Sequence, residues 1–277
     1  MPTPPFTDAA AVTTARAGDL AVDGHDSITL RFERRGTDTE FEILGARGDE
    51  QDPGVITTLA KSIAEAGHLP ALVGSSIYLA ADHPAEVLHP LPEAVAGALG
   101  LIRHRDLLQL RRLLPVPADH PIRTAARPVA TRPFRASSDL AAWVRVNNRA
   151  FAAHADQGRE TVATLEAHLA EPWFDGPGFL VADDDSRPGE LSGFCWTKVH
   201  SPSAPDPALG EIYVIGVDPS HRGEGLGPAF VLAGLDHLAS VGISVGNLYV
   251  DADNKPALRL YDRLGFAMHQ RRRVYTS

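Results

Sequence analysis

The chain has 277 residues, 44% of them hydrophobic, and its 35 acidic against 26 basic side chains give a net charge of −9. That length holds two domains of ordinary size, and without a basic surplus to neutralise phosphates no nucleic-acid partner is expected. The single cysteine, Cys195, excludes an internal disulfide framework, and with neither a membrane-length apolar run nor a signal-peptide pattern the chain is expected in the cytoplasm, away from membranes.

Residues 1–20 are rich in Pro, Thr and Ala and read as a loose tail. Alternation predicts strands over 27–33 and 40–44. A polar loop over 46–54 leads to a helix over 55–66, with Val55, Leu59 and Ile63 on one face. A strand is expected over 75–80. A helix follows over 84–99, broken by Pro90 and Pro92. Residues 101–114 read as the end of a sheet. Residues 115–127, with Pro115, Pro117 and Pro121 and no periodicity, read as a linker.

Beyond the linker, a strand is predicted over 128–134, then a helix capped by Ser137, Ser138 and Asp139. A polar turn over 152–159 and a second helix over 161–169 follow. Strands over 179–182 and 191–200 flank a hairpin turn at 183–189. The Pro-rich stretch 201–208 reads as a loop bordering a site.

The stretch 210–228 reads as strand, glycine loop and helix start. Residues 211–217 are rich in β-branched and aromatic side chains, as a half-buried strand requires. Asp218 and Pro219 end it, and Phe230, Leu232, Leu235 and Leu238 then recur at helical spacing. Between them Gly223, Gly225 and Gly227 let the backbone approach a ligand and aim N–H groups at it, at the positive end of the helix dipole. An anionic ligand, most simply a pyrophosphate, fits. The glycine spacing excludes the dinucleotide fingerprint, and no Lys-Ser/Thr pair closes a nucleoside-triphosphate loop. Downstream, 247–254 reads as a strand with its exit loop. Residues 254–266 read as a short helix capped by Asn254, with Pro256 in its first turn and Gly265 at its end. Residues 267–275 close the sheet.

Arg222-x-x-Gly225-x-Gly227 resembles the acetyl-CoA signature of the GCN5-related N-acetyltransferases, the GNAT superfamily. Asn254-x-x-Ala257-x-x-Leu260-Tyr261-x-x-x-Gly265-Phe266 resembles the second GNAT signature. The runs 209–219, 248–254, Glu171-Pro-Trp-Phe174 and Phe194-x-Trp-Thr-Lys-Val-His200 are similar to the mycothiol synthase family, in which two GNAT domains stand in tandem. The likeness is good from about residue 127 onward and poor before it.

The resemblance implies an α/β (α+β) fold: tandem GNAT domains, each a mixed central sheet flanked by helices. The loop 45–54 lacks the glycine signature and carries Asp49, Glu50 and Asp52, so the N-terminal copy is read as degenerate. The expected organisation is a tail over 1–20, a degenerate N-terminal domain over 21–114, a linker over 115–127 and a catalytic domain over 128–277.

The implied activity is transfer of acetyl from acetyl-CoA to the cysteine amine of desacetylmycothiol, by a monomer without metal. By resemblance Glu211 is the base and Tyr261 the acid. Ile215, Gly216 and Val217 would face the pantetheine arm. Arg222, Gly223, Glu224, Gly225, Leu226, Gly227 and Pro228 would hold the pyrophosphate, with Glu224 a departure from the usual basic residue and expected to point to solvent. Asn254, Lys255, Pro256, Ala257, Leu258 and Arg259 would line the other side. Asp156, Lys198, Glu211 and Tyr249 are the implied substrate contacts. Gly216 inside a strand suggests a bulge or a close approach. Cys195 reads as a small core residue. His154 and His200 belong to no metal-ligand spacing. Two alternatives stay open: a GNAT enzyme acting on another amine, and a module that binds CoA without turnover.

Overall fold

The computed structural model describes residues 17–22, 25–35, 38–44, 53–67, 76–81, 91–152, 158–203 and 206–276. Among these, Arg111–Tyr249 and Pro256–Ala267 form one compact unit; the described part of Phe6–Leu110, with Val250–Lys255 and Met268–Ser277, forms the second.

The second unit opens with strands β1 (Ala17–Val22), β2 (His25–Arg35) and β3 (Asp38–Leu44), the helix α1 (Pro53–Gly67) and strand β4 (Ser76–Ala81). Helix α2 (Leu91–Ala98) and strand β5 (Ile102–Leu113) follow. Among the described residues, regular structure is present from Ala17, inside the stretch expected to be a loose tail. Helix α2 holds Pro92 in its tolerant first turn, where the proline does not break the helix. Residues 82–90 lie outside the described ones. Gly100, at φ +68°, closes α2: the Leu101 amide bonds to the Ala96 carbonyl at 3.0 Å and the Gly100 amide to Gly97 at 3.1 Å. Val55, Leu59 and Ile63 are fully buried, the face that their spacing predicts.

In the first unit the expected linker carries a short helix, α3 (Pro121–Ala125), with Val116 and Ile122 buried. Its signal is hard to read locally, since the turn is short and His120 supplies the cap by accepting from the Ile122 amide at 3.3 Å. The strand expected over 128–134 shrinks to β6 (Arg132–Pro133). Helix α4 (Ala136–Ala150) starts at Arg135, without a side-chain cap from Ser137 or Ser138. Asp139 instead reaches back and accepts from the Arg135 amide at 2.8 Å. Helix α5 (Val162–Leu169) has a reciprocal cap between Thr161 and Thr164.

Strands β7 (Phe179–Asp183), β8 (Leu191–His200) and β9 (Leu209–Val217), helix α6 (Leu226–Ser240), strand β10 (Val245–Asp251), helix α7 (Lys255–Arg263) and strand β11 (Ala267–Thr276) complete the chain.

In the first unit the strand order is β10-β9-β8-β7-β6, with β9 and β10 parallel and the other pairs antiparallel. In the second unit the order is β1-β2-β3-β4-β11-β5, where β3 and β4 are parallel and β4 and β11 antiparallel. The strand pairing is thus mixed in each unit.

One face of the first unit's sheet packs on α6. A Cβ built on Gly193 would lie 2.5 Å from the Phe230 ring, and one on Gly234 would lie 2.5 Å from Cys195 Sγ. The opposite face packs on α4 and α5 through an aromatic core. Phe179 stacks on Trp196 at 4.2 Å and on Phe134 at 4.3 Å, and Trp143 meets Phe179, Phe194 and Trp196 edge-on. Such pairs add about 0.5–1.5 kcal/mol each beyond their burial, so this half of the core holds the functional strands rigidly in place.

Candidate active site

Side chains alternate along β8, so Cys195 and Thr197 face α6, whereas Phe194, Trp196, Lys198 and His200 face the aromatic core. The register of β8 against β9 slips between Trp196 and Thr197. Trp196 pairs with Val214 and Thr197 with Ile212, leaving Tyr213 as the extra residue. The bulge suspected at Gly216 is therefore at Tyr213. Gly216 instead answers to the other expectation, a close approach: a Cβ there would sit 2.6 Å from the Phe194 ring and 3.3 Å from Ala150.

Past the bulge Lys198 and Glu211 are direct partners and share the core-side face. Glu211 is 4% exposed, and its Oε2 lies 2.6 Å from His200 Nε2. His200 is thus the neighbour that satisfies this buried carboxylate, a role that the absence of metal-ligand spacing did not suggest. Its position two residues beyond Lys198 on an alternating strand is the signal that points to it. Lys198 is 8% exposed, with its ammonium 4.1 Å from the centre of the Trp173 ring and 5.2 Å from that of Tyr213. Cation–π contacts of this kind, worth about 1–2 kcal/mol, compensate for burying the charge and fix the side chain.

Beyond Glu211 the sheet opens. Pairing between β9 and β10 covers Leu209–Glu211 with Val245–Asn247 only, although β9 continues to Val217. Ile215, Gly216 and Val217 lie on this freed stretch, whose main-chain groups offer themselves to an extended ligand. Tyr249 follows on β10, two residues past Asn247.

The loop after β9 is braced from below. Burial would raise the Asp218 carboxyl, but the Ser220 hydroxyl and amide, with Arg149 and Arg187, hold it at about 2. Asp184 is likewise held well below the usual carboxylate range, against its burial, by Ser186, His221 and Arg187. The hydrogen bond to Asp184, at 3.0 Å, raises the His221 imidazole, and Glu224 adds to this. On this base the chain turns through Gly223 at φ +84° and Gly225 at φ +77°, the latter serving as the N-cap of α6. Both angles belong to glycine. Arg222, Gly223 and Glu224 are exposed, whereas Leu226 is buried and Gly227 and Pro228 are half-buried at the helix start. Glu224 does not simply point to solvent: it is ion-paired with Arg127 and lies 3.3 Å from His221, so its charge is balanced at the lip of the loop.

Tyr261 sits on α7 and is 6% exposed, with its ring 5.7 Å from Phe266. Gly265, at φ +75°, closes this helix; the Phe266 amide bonds to the Tyr261 carbonyl at 3.0 Å. Burial raises the Tyr261 phenol above its ordinary range, and the Cys195 thiol adds to the effect. Cys195 is fully buried, and burial pushes its thiol up to about 12, as an inert core residue requires. Of the remaining predicted contacts, Lys255, Pro256, Ala257, Leu258 and Arg259 form the first half of α7, and Asn254 immediately precedes it. Asp156 lies outside the described residues. Among the described residues no group of His, Cys, Asp or Glu is arranged to hold a metal ion, and no helix is long and apolar enough to cross a membrane.

The model of the acetyltransferase (GNAT) family matches residues 140–266, the stretch that holds the parted strands and the glycine-capped helix, and this is a GNAT acetyltransferase. Two solved structures share the fold. A GCN5-related N-acetyltransferase from Sphaerobacter thermophilus superposes with a TM-score of 0.61 at 18% identity, over 90% of this chain and 76% of that one. A tandem GNAT protein from the clavulanic acid biosynthesis pathway gives 0.54 at 17% identity, over 96% and 84%. Among curated relatives, mycothiol acetyltransferase of Kocuria rhizophila is 39% identical over 275 residues, covering 95% of this chain and 86% of that protein. The Acidimicrobium ferrooxidans mycothiol acetyltransferase is 51% identical over 179 residues, covering 64% of this chain and 55% of that protein. The chain belongs to the mycothiol acetyltransferase family, and is an acetyl-CoA-dependent N-acetyltransferase.

Proposed function

We propose that the enzyme acetylates the cysteine amine of desacetylmycothiol, with residues 128–277 as the catalytic copy and the N-terminal copy, degenerate in its loop, serving structure. The observation that carries the mechanism is the buried Glu211 carboxylate, held by His200 where β9 and β10 separate. The amine nitrogen attacks the thioester carbonyl carbon. As the C–N bond forms, Glu211 takes the amine proton; as the C–S bond breaks, Tyr261 gives its phenolic proton to the departing thiolate. Burial keeps the Tyr261 phenol protonated until that moment. The base is asked for little, because an α-amino group already titrates near ~7.7–8.0.

Acetyl-CoA fits the residues present. The N–H groups of Gly223, Gly225, Leu226 and Gly227, at the N-terminus of α6, suit its pyrophosphate, and the free edge of β9 over Ile215–Val217 suits its pantetheine arm. Lys198, Tyr249 and Asp156 are assigned to the hydroxyl-rich acceptor. Family membership supports this substrate over other amines.

The test is acetyl-CoA consumption with desacetylmycothiol beside a panel of amines and peptide N-termini. Turnover confined to desacetylmycothiol is expected, with Glu211→Gln lowering kcat by about 10²–10⁴ while CoA binding persists. Turnover of another amine in its place overturns the assignment, and CoA binding without any turnover points to a binding module.

A further inference from the structure

Asn247 on β10 is the direct partner of Glu211 on β9, which in turn pairs with Lys198 on β8. Residues so paired project from the same face of a sheet on strands about 5 Å apart. The neighbouring Gly246 confirms the facing: a Cβ there would meet Leu235 of α6 at 3.1 Å, so Asn247 projects to the opposite, Glu211 side. Asn247 is 1% exposed, and its Oδ1 has no hydrogen-bond partner among the described residues.

A buried acceptor left unmade costs about 1–3 kcal/mol, and asparagine is a poor strand former besides. An apolar side chain at this position would remove both penalties. The cost is recovered only if something arriving at this face brings a donor. The site is where pairing between β9 and β10 stops, so a ligand entering the gap meets Glu211 and Asn247 together.

We propose that Asn247 binds the acceptor amine, its Oδ1 accepting one N–H of the nitrogen whose other proton passes to Glu211. This rests on the reading of Glu211 as the base. A neutral primary amine has two N–H bonds and one lone pair. With one hydrogen held by Glu211 and the other by Asn247, the lone pair is left aimed away from both. Lys198 cannot share the task, because an ammonium only donates.

The test uses the full chain with Asn247→Leu and, as a smaller strand-compatible variant, Asn247→Val. Each is assayed on whichever amine of the panel the wild type acetylates fastest, and its thermal midpoint is recorded. The proposal expects kcat/KM for the acceptor to fall about tenfold or more, KM for acetyl-CoA to stay unchanged, and the midpoint to stay level or rise. Unchanged acceptor kinetics, an equal loss toward acetyl-CoA, or a lowered midpoint in both variants overturns it. The identity of the amine that the wild type accepts decides the substrate reading separately. If the wild type accepts none, the thermal midpoints still decide whether Asn247 is a structural residue.

Discussion

At the scale of single residues the site depends on pairs that the linear sequence separates. Glu211 and His200 are eleven positions apart, and their contact at 2.6 Å leaves a buried carboxylate with one described partner. Removing that partner by His200→Ala takes away the hydrogen bond that holds the buried carboxylate. We expect kcat/KM for the acceptor to fall about 10–100-fold, on the scale of one hydrogen bond to a charged group, with His200→Gln retaining a larger share because its amide still donates. A double-mutant cycle checks the cause. If His200 acts through Glu211, His200→Ala costs little further in a Glu211→Gln background; full additivity would sink the idea. Glu211 is legible in the sequence through the motif around it. His200 and Asn247 are not, because what singles them out is the register of β8 and β10 against β9. Register is a long-range property, set by packing as much as by any local signal.

At the scale of elements, the glycine loop was readable because its backbone needs are local. Gly223 and Gly225 have positive φ, a need that spacing alone betrays. Gly227 has a different requirement: it sits inside α6 with ordinary φ, and an added Cβ would meet only Leu260 at 3.7 Å. The two kinds of glycine separate by experiment. Gly225→Ala forces a left-handed conformation on a residue with a Cβ, so it is expected to lower stability by about 1–2 kcal/mol and to raise KM for acetyl-CoA. Gly227→Ala is expected to keep or gain stability, by up to about 1 kcal/mol from helix propensity, while still raising KM for acetyl-CoA because the backbone can no longer be approached closely. Chemical denaturation and initial-rate kinetics on the two variants read both quantities. An unaltered KM in Gly227→Ala would remove this turn from the binding surface. The elements that sequence reading missed are short or capped unusually. Helix α3 is a five-residue turn among prolines, and β6 is two residues whose strand character comes from pairing with β7. Neither has enough length for a period to show.

At the scale of the whole molecule, the expected division at the Pro-rich stretch 115–127 meets a chain that crosses between units more than once. The last strand, β11, pairs with β4 through Arg273–Thr276 against Leu79–Ser76, and so belongs with the N-terminal elements. Its Val274 and Tyr275 are buried, and the Tyr275 hydroxyl bonds to Glu93 at 3.1 Å, next to α2 where that glutamate stands. This pairing could not be read from residues 267–275, which have no alternation to fix a face and read only as a strand that closes a sheet. Its consequence is physical. A fragment ending at residue 114 keeps β4 but loses the strand that covers its edge, along with the buried side chains that strand brings. We expect residues 1–114 expressed alone to be insoluble or to lack cooperative unfolding, and co-expression with residues 115–277 to recover soluble protein by restoring β11 to β4. Circular dichroism melts of the fragment alone and of the co-expressed pair make the comparison. Cooperative unfolding of residues 1–114 alone would mean that the N-terminal elements hold their sheet without β11, and that the chain can be divided at the prolines after all.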